Sequence, residues 1–419
     1  MISYDQALQI IRSIGLPIEP RPVQLGRLAG TITAHDVHSP IDVPSFRNSS
    51  MDGFALCASQ IANATHEHPV ELDVLRTIGA GDNPSIGEES KICEIMTGAP
   101  VPEPYDAVVP VEDVKITGSS GGLATRVQFS RPANKRQNIR EPGEDFRKGQ
   151  TIIPAQVTIN EGHIMSLASL GIHRLSVRSA PPVYLFSTGK EVTDRYDEPL
   201  AAGQIYNSNS PYLLACIREE KMSAHYGGII ADEVPAFHRA LDSVPAGSMI
   251  ITTGAVSKGR WDFIPDALKE RGATIHFHRV NIRPGKPVLF ATLKDGSFYF
   301  GLPGNPISTA IGYRFFVMPL IDSLVARKPE AFLYAQLENA YTKNGPFRQF
   351  LKSRVRIGRD GILRAHISNA QESFKIHPMA TCNAWVIAEE DQHELKSGAT
   401  VPVVPFARRL AMDSLSDVD

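Results

Sequence analysis

Ser248-Met-Ile-Ile-Thr-Thr-Gly-Ala-Val-Ser-Lys-Gly-Arg-Trp-Asp262 decides how this chain is read. Its apolar start has the composition of a buried strand, and the glycines that follow let backbone N–H groups approach a ligand that a Cβ would hold away. Phe298-Tyr-Phe-Gly-Leu-Pro-Gly-Asn-Pro306 repeats the design, with Asn305 as N-cap and Pro306 as first-turn proline of a helix running from Ile307. A helix N-terminus carries unpaired N–H groups that attract an oxyanion. Between the two turns lies Arg283-Pro-Gly-Lys-Pro287, and Arg279, Arg283 and Lys286 add fixed positive charge. Oxyanion binding follows from this residue chemistry.

Acids stand among these bases. Glu191 follows the strand-like Val183-Tyr-Leu-Phe186 and the turn Ser187-Thr-Gly-Lys190, Asp232 follows Gly228-Ile-Ile230, and Asp262 closes the first turn. In an open α/β sheet such turns meet at the carboxyl ends of the strands. Carboxylates facing a polyanion repel it unless a cation lies between, and Mg²⁺ bridges carboxylates to substrate phosphates. Any one of these acids also suits a helix-capping role. The three together favour a metal-assisted site.

The set of motifs resembles the molybdopterin molybdenumtransferase family, the bacterial MoeA proteins and the E domain of gephyrin. The stretches that carry the resemblance are Asp42-Val-Pro-Ser-Phe-Arg-Asn-Ser-Ser-Met-Asp-Gly-Phe-Ala55, Met96-Thr-Gly-Ala-Pro-Val-Pro102, Asn138-Ile-Arg-Glu-Pro-Gly-Glu-Asp145 and Ser187-Thr-Gly-Lys-Glu191, with the three glycine turns. Single pieces are weak signals, whereas the ordered set, nearly end to end, is specific. The resemblance implies a molybdenum insertase that splits adenylyl-molybdopterin, releases AMP and places molybdate on the dithiolene, with Mg²⁺ assisting. It implies Asp52, Thr97, Asp145, Glu191, Asp232, Asp262 and Ser373 as catalytic positions, with Glu191, Asp232 and Asp262 at the metal. Thr188, Gly189, Gly254, Ser257, Arg279, Arg283, Lys286, Pro303, Gly304, Asn305 and Pro306 are the implied cofactor-binding positions. Asp52 and Thr97 match positions contributed by a second subunit, which implies a homodimer with a shared site. On local pattern alone Asp52-Gly53 is a turn and Thr97-Gly98 a strand end. A molybdopterin adenylyltransferase upstream and molybdoenzymes downstream are the implied partners.

Three departures stand out. Ala255 replaces a glycine usual in the family turn, and Arg279 and Arg283 occupy positions where lysines are common. Glu372-Ser373-Phe374 stands where the family commonly shows Gly-Ser-His. These last changes motivate a second reading, a molybdopterin-binding or carrier protein without insertase activity, and the resemblance to gephyrin implies a third, a scaffold.

Composition bounds the possibilities. With 419 residues and 42% hydrophobic content the chain is expected to form several domains. A net charge of −2 argues against nucleic-acid binding, so an anion must be held by a local cluster. Four cysteines without zinc-ligand spacing point to a reducing cytoplasm and buried thiols. The amphipathic start, capped by Ser3 over Tyr4 to Ser13, differs from a signal peptide, and no run is long enough to span a membrane.

The expected architecture is multidomain α/β. Residues 1–48 plus 136–174 form an elongated N-terminal domain by resemblance, and short alternating segments over 49–135 read as an inserted β domain. Residues 175–326 read as the central α/β molybdopterin-binding domain, a three-layer, mostly parallel sheet with helices at Tyr212 to Lys221, Pro235 to Leu241 and Phe263 to Arg271. The helix from Ile307 should end or kink near Pro319. Strand-like pieces over 327–419 read as a C-terminal β barrel or sandwich, with the barrel taken as the fold.

Overall fold

The structure is a computed structural model that describes residues 1–83, 86–255 and 263–408. Their contacts divide them into two compact units, residues 1–35, 156–161 and 174 onward in the first, and 36–155 with 162–173 in the second.

The first unit is built on a six-stranded sheet in the order Ala224–Ile230, Val183–Thr188, Met249–Thr253, Phe298–Leu302, Leu289–Thr292, Thr274–His278. The first four strands are parallel, Leu289–Thr292 runs antiparallel to them, and Thr274–His278 pairs antiparallel with it and so runs in the first direction again. Residue alternation sorts the side chains to two faces. Leu185, Ile251 and Phe300 pack with Leu213 and Ile217 of helix Asn209–Glu219 and Ile311 of helix Pro306–Gly312. Phe186, Ile250 and Tyr299 pack on the other face with Phe237 and Leu241 of helix Val234–Asp242 and with Leu268 of helix Ile264–Glu270. Three layers result, each fully buried large side chain contributing about 1.5–3 kcal/mol. From Val183–Thr188 the chain passes to a neighbour on one side, then returns over the opposite face to the other side. The connection therefore reverses between Thr188 and Thr253, the place where such sheets open a crevice.

Helix Tyr4–Ile14 starts as its sequence predicts. Ser3 Oγ accepts from Gln6 N–H at 3.1 Å and Gln6 Oε1 accepts from Ser3 N–H at 2.9 Å, a reciprocal capping box. Asn209–Glu219 begins three residues before the expected Tyr212, since Asn207 Oδ1 takes the Ser210 N–H and starts the helix early. The helix expected to end or kink at Pro319 does neither as a simple break. A π-helical turn, Tyr313–Val317, joins Pro306–Gly312 to Met318–Leu324, and its wider ladder accommodates the proline's missing N–H.

After Leu324 five strands close on themselves: Arg348–Ile357, Leu363–Ile367, Leu333–Leu337, Thr400–Pro405 and Ala384–Ala388, the last pairing back to the first. This is a barrel rather than a sandwich, filled by Leu351, Val355, Ile367, Val386, Val401 and Val403. The short strand Ile282–Arg283 lies parallel along Arg348 and Gln349 at its rim.

The second unit carries a six-stranded sheet in the order Ala107–Pro110, Gly53–Leu56, Ile92–Ile95, Val70–Ile78, Leu123–Phe129, Val114–Ser120. Gly121 and Gly122, both at positive φ, form the hairpin tip read from Ser119-Ser-Gly-Gly122. All four cysteines are free, but only Cys93 is buried; Cys57, Cys216 and Cys382 are half-buried, so the expectation of buried thiols holds for one of them. No helix of the described residues is long and apolar enough to cross a membrane.

Candidate functional site

Register brings the carboxyl ends of the parallel strands level: Thr188 lies beside Ile230, Ser187 beside Thr253, and Thr253 beside Leu302. Thr188 is buried, and its Oγ1 donates to Thr253 O at 3.1 Å. Gly254 follows at φ 98°, where its N–H donates to Leu302 O at 2.9 Å. A Cβ there would lie 2.5 Å from Thr188 Oγ1 and 3.0 Å from Thr188 O, so only glycine lets the two turns touch. Gly304 comes up from the next strand, with the place of its Cβ 3.7 Å from Gly254 Cα. The Thr188, Gly254 and Pro303–Asn305 turns thus share one spot at the crevice. Ala255 stands at φ 50°, a conformation that costs a residue with a Cβ about 1–2 kcal/mol.

Pro306 opens its helix as expected, but the Asn305 side chain does not cap it. Asn305 Nδ2 donates instead to Ser373 Oγ at 2.9 Å, and the first-turn N–H of Ile307 donates to Ser373 O at 3.1 Å. A segment between barrel strands Leu363–Ile367 and Ala384–Ala388 covers the helix N-terminus and takes over its capping. Ser373 is therefore brought to the glycine turn. Its neighbour Glu372 pairs with Lys375 at 2.8 Å, and the ammonium holds the Glu372 carboxyl below its ordinary range. The Phe374 ring is 65% exposed, turned to solvent.

The basic segment forms a closed loop: Arg279 N–H donates to Val288 O and Val280 N–H to Lys286 O, each at 3.0 Å. Arg279 is half-buried and at φ 83°, while Arg283 and Lys286 are exposed, with Lys286 Nζ 5.5 Å from the Phe347 ring centre. None of the three carries an ion pair to a described carboxylate. Their charge is open to an incoming anion.

Of the three expected metal carboxylates, Glu191 and Asp232 stand just past the ends of adjacent strands. Glu191 folds back on its own turn: a Cβ on Gly189, which has φ 121°, would lie 2.7 Å from Glu191 Oε1. Asp262 and Ser257 lie outside the described residues. Among those described, no group of three or more His, Cys, Asp or Glu side chains is close enough to hold a metal ion.

Asp52, Thr97 and Asp145 belong to the second unit. Asp52 Oδ1 accepts from Thr97 N–H at 2.7 Å and from Thr97 Oγ1 at 2.9 Å. Both residues are exposed, and these two bonds, the backbone one first, hold the Asp52 carboxyl below the usual carboxylate range. Asp52-Gly53 leads into a strand rather than a free turn. A Cβ on Gly53 would lie 2.1 Å from Val109 O, so the neighbouring strand needs glycine there. Asp145 is exposed, its N–H donating to Val43 O at 2.9 Å.

Sequence reading missed a polar network beneath the crevice. Asn207 Nδ2 lies 3.0 Å from Ser187 Oγ, 2.8 Å from Asp194 Oδ1 and 3.0 Å from Tyr226 OH, while Tyr226 OH donates to Asp194 Oδ2 at 2.6 Å. Burial and then Asp194 push the Tyr226 phenol up to about 12, so it stays a donor. Asn209 Nδ2 donates to Gly304 O at 2.7 Å, tying a helix N-terminus to the glycine turn. Lys352 was missed as well. It is fully buried, and its ammonium donates to Glu372 O at 3.1 Å and Lys375 O at 3.0 Å, holding the segment that presents Ser373. Nothing in a strand pattern marks a lysine for that place.

Comparison with known proteins agrees along the whole length. Residues 2–171 match the MoeA N-terminal region (domain I and II), residues 184–323 a probable molybdopterin binding domain, and residues 334–406 the MoeA C-terminal region (domain IV). A molybdopterin molybdenumtransferase of Synechococcus elongatus is 32% identical over 412 residues, covering 96% of this chain and 99% of that protein. One from Bacillus subtilis is 32% identical over 410 residues, covering 96% and 94%. The crystal structure of a molybdopterin biosynthesis MoeA protein from Pyrococcus horikoshii superposes with a TM-score of 0.77 at 25% identity, covering 97% of this chain and 99% of that one. Matches of this extent, on a fold whose reversal point carries the expected turns, establish that the chain belongs to the molybdopterin molybdenumtransferase family, a family of transferases.

Proposed function

We propose that this chain inserts molybdate into molybdopterin by Mg²⁺-dependent cleavage of adenylyl-molybdopterin, with release of AMP. Family membership supports the coarser role, a step of molybdenum cofactor biosynthesis. The observation that carries the finer reading is the docking of Ser373 on the glycine turn; the loop of Arg279, Arg283 and Lys286, which have no acid partner among the described residues, reaches the same helix where the place of a Gly285 Cβ lies 3.6 Å from Ser308 O. A dianionic oxyanion and a phosphoanhydride both need that concentration of donors.

In this reading Arg279, Arg283 and Lys286 bind the anionic groups, and the Gly254 and Gly304–Asn305 turns bring backbone close to phosphate or pterin. Ser373 offers its hydroxyl to molybdate. Thr188 keeps the two turns in contact, and the closed crevice orients the reacting groups. Glu191 and Asp232 present hard oxygen donors at neighbouring strand ends, and Mg²⁺ takes one or two carboxylates and completes its shell with substrate oxygen and water, so the donor chemistry fits. These two, with Asp262, would hold the ion. When bound it supplies neutralisation of the phosphate charge. Asp52 and Thr97 act on the site of a second copy in a homodimer, Thr97 keeping the Asp52 carboxylate ionised and aimed, and Asp145 is a further catalytic position.

The carrier reading is motivated by repulsion and crowding from Glu372 and Phe374. Pairing of Glu372 with Lys375 offsets the charge, and the phenyl ring faces solvent, which favours the insertase. The test is to combine purified protein, Mg²⁺, molybdate and adenylyl-molybdopterin and to measure AMP and active cofactor. AMP and cofactor in equal amounts are expected; neither above background overturns the proposal.

A further inference from the structure

A second concave, basic surface lies at the opposite pole of the central sheet. It is a cavity of about 380 Å³ walled by Arg21, Arg178, Lys221 and Arg327, with Ser179 and Glu220. Pro182 and Ser223, which immediately precede two of the parallel strands, place it at their amino ends, whereas the candidate site is at their carboxyl ends. Helix Asn209–Glu219 separates the two, starting at the Gly304 turn and ending at the cavity, a span of about 16 Å at 1.5 Å per residue.

Apolar residues, among them Ile32, Met222 and Ile321, line part of the wall, and its charged groups are mostly donors. Glu220 is its one acid, and two guanidiniums take up its carboxylate, Arg327 at 3.0 Å and Arg408 at 2.8 Å. Arg178 donates to Ile18 O at 3.2 Å and keeps its charge. Arg21 and Lys221 are exposed and have no ion pair among the described residues. Lys221 is also fixed in place: its backbone has φ 59°, and its stem packs so tightly on Gly30 that a Cβ there would lie 2.6 Å from Lys221 Cγ. That backbone angle ends helix Asn209–Glu219: Lys221 N–H donates to Arg218 O at 2.9 Å and Met222 N–H to Ile217 O at 3.3 Å, so the helix stop sets where the lysine stands. Two buried donor groups in the same wall, Ser179 Oγ and Arg327 Nε, have no hydrogen-bond partner. Donors without acceptors match a ligand that offers only acceptors.

We infer that this cavity is a second anion site, distinct from the insertase crevice, which takes a small phosphate-class oxyanion carrying more than one negative charge. Arg21 and Arg178, carried by the paired strands Arg21–Gln24 and Arg174–Arg178, grip one side of the anion and Lys221 the other.

The test is calorimetric titration of the whole protein with inorganic pyrophosphate, comparing the natural sequence with the double variant Arg21→Gln/Lys221→Gln. Both side chains are exposed, so the variant is expected to fold. One binding event should weaken at least tenfold in the variant, and the same event should weaken with added salt, as a charge-driven site requires. Pyrophosphate binding in the insertase crevice is read separately as the event lost in Gly254→Ala. Unchanged titrations of the natural and double-variant proteins overturn the inference, and so does equal weakening of every event. AMP release from adenylyl-molybdopterin tests the insertase proposal and is independent of either result.

Discussion

Replacing Gly254 by alanine tests whether the crevice depends on close approach of two backbones. The new methyl would sit at φ 98° and lie 2.5 Å from Thr188 Oγ1 and 3.0 Å from Thr188 O. Left-handed backbone costs a residue with a Cβ about 1–2 kcal/mol. Moving the threonine hydroxyl aside breaks its buried bond to Thr253 O, worth about 1 kcal/mol. The carbonyl at 3.0 Å belongs to a paired strand and gives way only if that strand shifts. The first two costs sum to about 2–3 kcal/mol, a fall in Tm of about 3–5 °C for a unit of this size. Molybdate affinity should drop more than tenfold, since the turn that meets Gly304 is displaced. Differential scanning calorimetry and equilibrium dialysis with molybdate read the two effects. A variant that melts within 1 °C, as a rough threshold, and binds molybdate as before would refute the reasoning.

Two further perturbations probe other parts of the structure. Lys352→Met leaves Glu372 O and Lys375 O without their donor, at about 1–3 kcal/mol for each unsatisfied group, so chemical denaturation should show a loss of at least about 2 kcal/mol; a loss below about 0.5 kcal/mol would show that the carbonyls find other partners. Thr97→Ala removes the weaker of the two bonds to Asp52 and should raise the carboxyl's titration midpoint part of the way toward its ordinary range, as followed by carbon NMR. Because folding depresses the Asp52 pKa, its contribution to stability is present above about pH 4 and fades as pH falls through the folded midpoint. An unmoved midpoint in Thr97→Ala would mean the hydroxyl bond does not matter.

Much of the fold was legible because its signals are local. Apolar runs ending in glycine, such as Met249–Thr253 before Gly254, announce buried strands delivering turns, and Ser3 with Gln6 announces a capped helix. The helix boundary at Asn209 was not legible, since it depends on Asn207 reaching Ser210 within a network drawn from three separate segments. The capping of Pro306–Gly312 misled for a related reason. Asn305 followed by Pro306 is a sound local start signal, yet Ser373, 68 residues on, outcompetes the local arrangement. Sequence likewise could not show whether Ala255 would be tolerated, since that rests on a backbone angle set by its neighbours.

The short strand Ile282–Arg283 has a consequence for how the molecule can be divided. It leaves the central sheet and joins the barrel edge, Ile282 beside Arg348 and Arg283 beside Gln349. The Arg279–Lys286 loop is thus a seam sewn into both neighbours. A fragment ending at Leu324 would keep every residue of that loop yet lose the stitches that hold its shape, so the barrel is no detachable appendix.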